Sequence, residues 1–227
     1  TTMGVPFHYL EELSLKGLPK LVEWVEGVGG DASLSSASTS NRRSDIFPCL
    51  VWLEIAGCSE LRHLSMDCVQ SSTSLQQLTI RGCRALHSVP DLQGLTNLYD
   101  LTMGGFGREV EEFPWPHHLP SSLRNLTLIG WQRVKSLPYQ LQHLSSLTHL
   151  TIMGFDSLES LPGWLGSLSN LEYLWISGCP FVEEKLREEN GPHTHNIPPF
   201  LHHEPWRTDG MTFSRKKARS TVVMESD

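Results

Sequence analysis

The chain has 227 residues, 39% of them hydrophobic, enough to bury a sizeable core. Its formal net charge of −7 argues against a general nucleic-acid footprint, and no apolar run approaches the ~20 residues that cross a bilayer. No signal-peptide pattern opens it, and because it starts at Thr1 we read it as a piece of a longer protein.

In chain order, one pattern recurs. Leu-x-x-Leu-x-(Leu/Ile/Met) begins at Leu10, Leu50, Leu75, Leu98, Leu123, Leu147 and Leu171, at intervals of 40, 25, 23, 25, 24 and 24 residues. Seven residues after each start stands a glycine: Gly17, Gly57, Gly82, Gly105, Gly130, Gly154 and Gly178. The next residue is Leu18, Cys58, Cys83, Phe106, Trp131, Phe155 or Cys179. A proline closes four units, at Pro90, Pro114, Pro138 and Pro162. The period and spacing match the leucine-rich repeat, whose units run about 20–29 residues.

Each unit has a physical reading. In Leu75–Ile80, Leu78 and Ile80 alternate with Gln77 and Thr79, the mark of a strand with one buried and one wet face. The glycine lets the chain leave the strand through a backbone shape that other residues resist. The residue after it points inward and fills volume, so Cys83 and Phe155 are two fillings of one core site. No coil buries its own leucines, so the coils must stack. The predicted fold is therefore α/β: a leucine-rich repeat solenoid with a parallel sheet on its concave face and short, mostly irregular convex segments. It occupies residues 1–189 in about seven repeats. Residues 27–45, rich in Gly, Ser and Ala, form a flexible insertion. Residues 190–227 lack the repeat and read as a largely irregular tail.

The wet strand positions form one continuous surface. They are Glu12 and Ser14, Trp52 and Glu54, Gln77 and Thr79, Asp100 and Thr102, Asn125 and Thr127, His149 and Thr151, and Tyr173 and Trp175, with Lys16, Arg81, Tyr99 and Arg124 at the margins. A solenoid needs only its leucines to fold, so aromatics on this face have no evident stabilising task. Aromatic residues also carry much of the energy at protein interfaces. The candidate partner-binding residues are Trp52, Glu54, Gln77, Tyr99, Asp100, Arg124, His149, Tyr173 and Trp175.

No catalytic pattern emerges. There is no phosphate loop and no Gly-x-Ser-x-Gly elbow, and the paired carboxylates Glu111-Glu112 and Glu183-Glu184 read as solvated charge. His193, His195, His202 and His203 stand near two prolines without a cysteine, unlike a zinc site, and His117-His118 sits on a proline turn. We expect no enzyme activity, no metal and no cofactor in this chain. Cys49, Cys58, Cys68, Cys83 and Cys179 are an odd set, three of them at the filling site, as buried thiols of a cytoplasmic protein would be. Asn125-Leu126-Thr127 matches a glycosylation sequon inside a strand, which that compartment makes irrelevant. The basic stretch Phe213–Ser220 reads as a charged tail, with a nuclear address as the alternative.

"LTIRGCRALHSVPDLQGLTNLYDL" and "LTIMGFDSLESLPGWLGSLSNLEYLWISGCP" resemble the C-terminal repeats of plant nucleotide-binding leucine-rich-repeat disease resistance proteins, of the non-Toll, coiled-coil subclass. The segment Gly178–Phe200, "GCPFVEEKLREENGPHTHNIPPF", is similar to the close of such receptors in grasses, where Cys-Pro leads into a charged helix. His193-Thr194-His195 departs from the family's usual tryptophan, and residues beyond Phe200 look unlike it. The resemblance implies a recognition and autoinhibition module that binds pathogen effectors or guarded host proteins. It also implies restraint of an ADP/ATP switch domain, the receptor's own nucleotide-binding domain, which is not in this chain. The alternative is the substrate-recognition subunit of a ubiquitin ligase.

Overall fold

The structure is a computed structural model. It describes residues 7, 9–24, 47–66, 74–107, 116, 118–189, 201–204 and 211–215. The proposed insertion at 27–45, Cys68, Glu111-Glu112, Pro114, His117, His193 and His195 lie outside the described residues.

The chain forms a β-solenoid with little helix. Seven five-residue strands stand in sequence order: β1 (Glu12–Lys16), β3 (Trp52–Ala56), β5 (Gln77–Arg81), β6 (Asp100–Gly104), β7 (Asn125–Ile129), β8 (His149–Met153) and β9 (Tyr173–Ser177). Every pair is parallel, in a register without slips, so Leu53, Leu78, Leu101, Leu126, Leu150 and Leu174 form one column. All six are at most 1% exposed. Fully burying such a side chain is worth about 1.5–3 kcal/mol, and stacking supplies that burial coil by coil.

The return side of the solenoid is varied. Two residues of β2 (Glu23–Trp24) pair with β4 (His63–Leu64) in a small parallel sheet. Farther along, Pro138 and Pro162 each lead into a 3-10 turn, Tyr139–His143 and Gly163–Ser167. Both prolines are extended, with φ of −64° and −72°, and Leu141 and Leu165 drop into the core behind them. Proline suits this place because its ring presets φ and no backbone N–H is given up.

Each repeat glycine takes a positive φ, between 28° and 68°. At Gly105 space is the second constraint. A Cβ there would lie 3.2 Å from the Gly82 backbone nitrogen, since the glycines of adjacent coils pack against one another.

The filling site is confirmed in six coils. Cys58, Cys83, Phe106, Trp131, Phe155 and Cys179 are all at most 4% exposed. In the middle coils, Phe106 meets the Trp131 ring edge-on at 5.3 Å, and Phe155 meets its other side at 5.6 Å. Where cysteine fills the site, its thiol faces carbonyls: Cys83 Sγ lies 3.6 Å from the Arg81 oxygen and Cys179 Sγ 3.6 Å from that of Ser177. Burial pushes both thiols above the ordinary cysteine range. The seventh member corrects the expectation. Leu18 is 42% exposed: its coil carries β1, which is the outermost strand of the sheet among the described residues.

The other end is closed. Helix α1 (Pro180–Glu189) buries Val182 and Leu186 in the core, and the Glu183 carboxylate accepts the Cys179 N–H at 3.0 Å at its start. Glu183 therefore has a structural task beyond solvated charge. Within the region read as irregular tail, β10 (Leu201–Glu204) and β11 (Met211–Arg215) form an antiparallel pair. β11 then pairs antiparallel with β9, so the sheet grows to nine strands. His202 and His203 thus lie in β10, a placement the repeat pattern gave no hint of.

Candidate functional site

The outer face of the sheet is ordered in rows by the strand register. The first row runs Glu12, Trp52, Gln77, Asp100, Asn125, His149 and Tyr173. The second runs Ser14, Glu54, Thr79, Thr102, Thr127, Thr151 and Trp175. Strand residues expected to be wet do point away from the leucine column. Tyr99 and Arg124 each immediately precede a strand, and the Tyr99 carbonyl accepts the Arg124 and Asn125 N–H groups at 2.9 and 2.8 Å.

At the β1 end the face is electrostatic. Alternation predicts a wet Glu54, yet it is only 5% exposed. Alternation places it on the outer face correctly, but Lys16 and Arg81 reach over it from the neighbouring strands. Lys16 Nζ lies 2.8 Å and Arg81 Nη2 3.3 Å from its oxygens, and Ser14 Oγ is 3.4 Å away. The hydrogen bond from Lys16 chiefly holds the Glu54 carboxyl below its usual range; lost hydration opposes this, and Arg81 adds to the lowering. Lys16 Nζ also sits 5.9 Å from the Trp52 ring centroid, within cation–π range.

Along the first row, side chains pair sideways between strands. Gln77 Nε2 donates to the Tyr99 hydroxyl at 2.9 Å, and Asn125 Nδ2 donates to Asp100 Oδ2 at 3.1 Å. His149 stacks on Tyr173 at 4.6 Å with 21° between the rings. Trp52, Tyr99, His149 and Tyr173 therefore do have stabilising neighbours, contrary to the expectation for aromatics on this face. Such cross-strand pairs are worth roughly 0.2–1 kcal/mol each. Tyr173 nevertheless remains 45% exposed, and Trp175 is half-buried. Neither residue stands at the open edge, since β11 sets Ser214 beside Tyr173 and Thr212 beside Trp175.

Between the charged end and Trp175 the second row is uniform. Thr79, Thr102, Thr127 and Thr151 stand in register on four adjacent strands, all half-buried. The face thus has a shallow hydroxyl floor with ionic groups at one end and aromatics at the other. This threonine run was visible in the alternation, but only the register aligns it.

A second feature was not legible in the sequence. Lys135, Ser157, Glu159, Phe181 and Lys185 line an open pocket where α1 meets the last coils. Its charges are largely matched within the chain: Lys135 Nζ lies 3.4 Å from the Glu159 carboxylate, and Lys185 Nζ donates to the Glu159 carbonyl at 2.8 Å. Among the described residues there is no group of three or more His, Cys, Asp or Glu side chains placed to hold a metal ion. Nor is any described helix long and apolar enough to cross a membrane.

No model of a known protein family matches the chain, and no curated protein matches it. The functional reading therefore rests on the chain's own residues and geometry.

Proposed function

We propose that this chain is a leucine-rich-repeat protein-binding module, and that it serves as the C-terminal recognition and autoinhibition region of an intracellular plant immune receptor of the nucleotide-binding class. It carries no catalytic function or cofactor of its own in this reading; ADP or ATP belongs to the receptor's switch domain. The observation that carries the binding role is the outer face. It presents Trp52, Tyr99, His149, Tyr173 and Trp175 along the sheet between β3 and β9, where the core requires none of them. The repeat wording and the Gly178–Phe200 close support the family reading.

The partner is a protein: the receptor's own switch domain, a pathogen effector or a guarded host protein. Trp175→Ala in the full-length receptor, expressed in leaf tissue, separates these roles. Spontaneous cell death identifies lost self-restraint, whereas loss of the pathogen-triggered response identifies lost recognition. Unchanged signalling in both states removes Trp175 from the site.

A further inference from the structure

The outer face carries a third row, at the C-terminal end of each strand. In register it runs Lys16, Ala56, Arg81, Gly104, Ile129 and Met153. Its cations stand on one side and its large apolar side chains on the other. A Cβ at Gly104 would run into the Ile129 carbonyl, so no side chain separates Arg81 from the apolar pair. The acids of the first row, Glu12 and Asp100, lie at the opposite end of their strands.

Each half has capacity to spare. Lys16 and Arg81 share the one Glu54 carboxylate, so the three groups carry a net positive charge. Lys16 makes the closer contact, at 2.8 Å against 3.3 Å. Arg81 reaches Glu54 through Nη2, and with its side chain 52% exposed it keeps further guanidinium donors for a ligand. Met153 is 39% exposed, with the half-buried Ile129 beside it. Trp175 lies opposite Thr151, a diagonal neighbour of Met153 within reach of a large side chain. Methionine adapts to varied apolar partners, which suits it to a binding surface.

We propose that the outer face takes an extended segment of a partner protein that crosses the strands along this row. An acidic side chain of the segment meets Arg81, and an apolar side chain four residues away meets Met153 and Trp175. This rests on the binding role proposed for the face and states what kind of segment the face accepts.

Spacing supports the pairing. Arg81 and Met153 stand three strands apart, about 14 Å at ~4.8 Å per strand. An extended chain advances about 3.3 Å per residue, so its residues i and i+4 share one face roughly 13 Å apart. The hydroxyl floor favours an extended segment over a helix. Thr79, Thr102, Thr127 and Thr151 run beside the third row and offer hydrogen-bond partners to bare backbone N–H and C=O groups. A helix satisfies those groups internally and leaves the hydroxyls unused. Charge selects the acid, since a basic side chain at Arg81 would meet net positive charge.

Random linear peptides displayed on phage and selected on the full 227-residue chain test this. The selected peptides should share an acidic and an apolar residue four positions apart. Arg81→Ala should weaken binding of one such synthetic peptide about tenfold, because a charge-assisted hydrogen bond is lost. Changing the peptide's acid to the amide should weaken it equally, and both changes together should cost no more than either alone. The amide change leaves the chain untouched, so it reads the contact independently of any effect of Arg81→Ala on folding. Met153→Ala should also weaken binding about tenfold while circular dichroism stays that of the parent.

Failure to select any peptide would overturn the proposal, as would peptides without this spacing or additive effects of the acid and Arg81 changes. Peptides that need Tyr173 and Trp175 but ignore Arg81→Ala and Met153→Ala would keep the face as a binding site and overturn this segment chemistry. Peptides indifferent to all four substitutions would sink both. A chain that dimerises through this row, with Met153→Asp dissolving the dimer, would overturn the proposal in favour of a second copy.

Discussion

Lys16 Nζ lies 2.8 Å from the Glu54 carboxylate, joining β1 to β3 across an outer face where Arg81 completes the clamp from β5. The carboxyl is held below its usual range in the folded state. A lowered folded pKa stabilises the native state above the unfolded value, near 4.3, and that contribution disappears as pH falls through the folded pKa. Glu54→Gln should therefore lower the melting temperature at pH 7, with a gap to the parent that narrows steadily below about pH 4.5. A gap independent of pH would mean that Glu54 contributes by packing rather than by charge.

The filling site differs between the interior and the end of the solenoid. Phe155 is fully buried against Trp131, so Phe155→Ala should cost about 3–5 kcal/mol in denaturant unfolding. Leu18 occupies the equivalent place in the β1 coil but is 42% exposed. Leu18→Ala should cost about 1 kcal/mol or less. Equal costs would contradict the difference in burial.

The cysteines should divide by accessibility. Cys49 is exposed, whereas Cys58, Cys83 and Cys179 are buried. With a thiol reagent at neutral pH, mass mapping should find Cys49 modified promptly and the three buried thiols modified only on unfolding. Burial, which raises the thiol pKa at Cys83 and Cys179, reinforces the steric protection by keeping those sulfurs neutral. Rapid native modification at Cys83 would remove it from the core.

Gly105 and Gly17 share a positive φ, 63° and 60°, but not their surroundings. A Cβ at Gly105 meets the Gly82 backbone, while one at Gly17 meets nothing within 4 Å. Both alanine variants should lose stability, by about 1–3 kcal/mol for the backbone strain alone. Gly105→Ala should lose more, because the neighbouring coil must also shift. The reverse order in a thermal melt would deny the close stacking of the glycine column.

Much of this architecture was legible in the residues. The leucine spacing located all seven parallel strands, and the glycine-plus-one position identified six of the seven fillings, because both signals are local and repeat in every coil. Leu18 misled because its wording is that of an interior coil, and only position in the stack bares it. Glu54 misled for a related reason: alternation assigns a face, but not the Lys16 and Arg81 side chains that arrive from other strands. β10 and β11 carry no repeat, and their pairing with β9 is a long-range choice that no local pattern encodes. The candidate site was legible as a face, while the stack of His149 on Tyr173 and the bond from Gln77 to Tyr99 needed the register.

Engagement of a protein by the outer face can be read from one combined variant. Trp52→Ala, Tyr173→Ala and Trp175→Ala together strip three aromatics while leaving the leucine column intact. Losing the Tyr173 stack and the Trp52 cation contact should cost only about 1–2 kcal/mol in all, so the solenoid should stay folded by circular dichroism. In the full-length receptor, resting or pathogen-triggered signalling should change in that folded protein. Resting and triggered signalling both equal to the parent's would contradict the claim and move the partner to the loops or flanks.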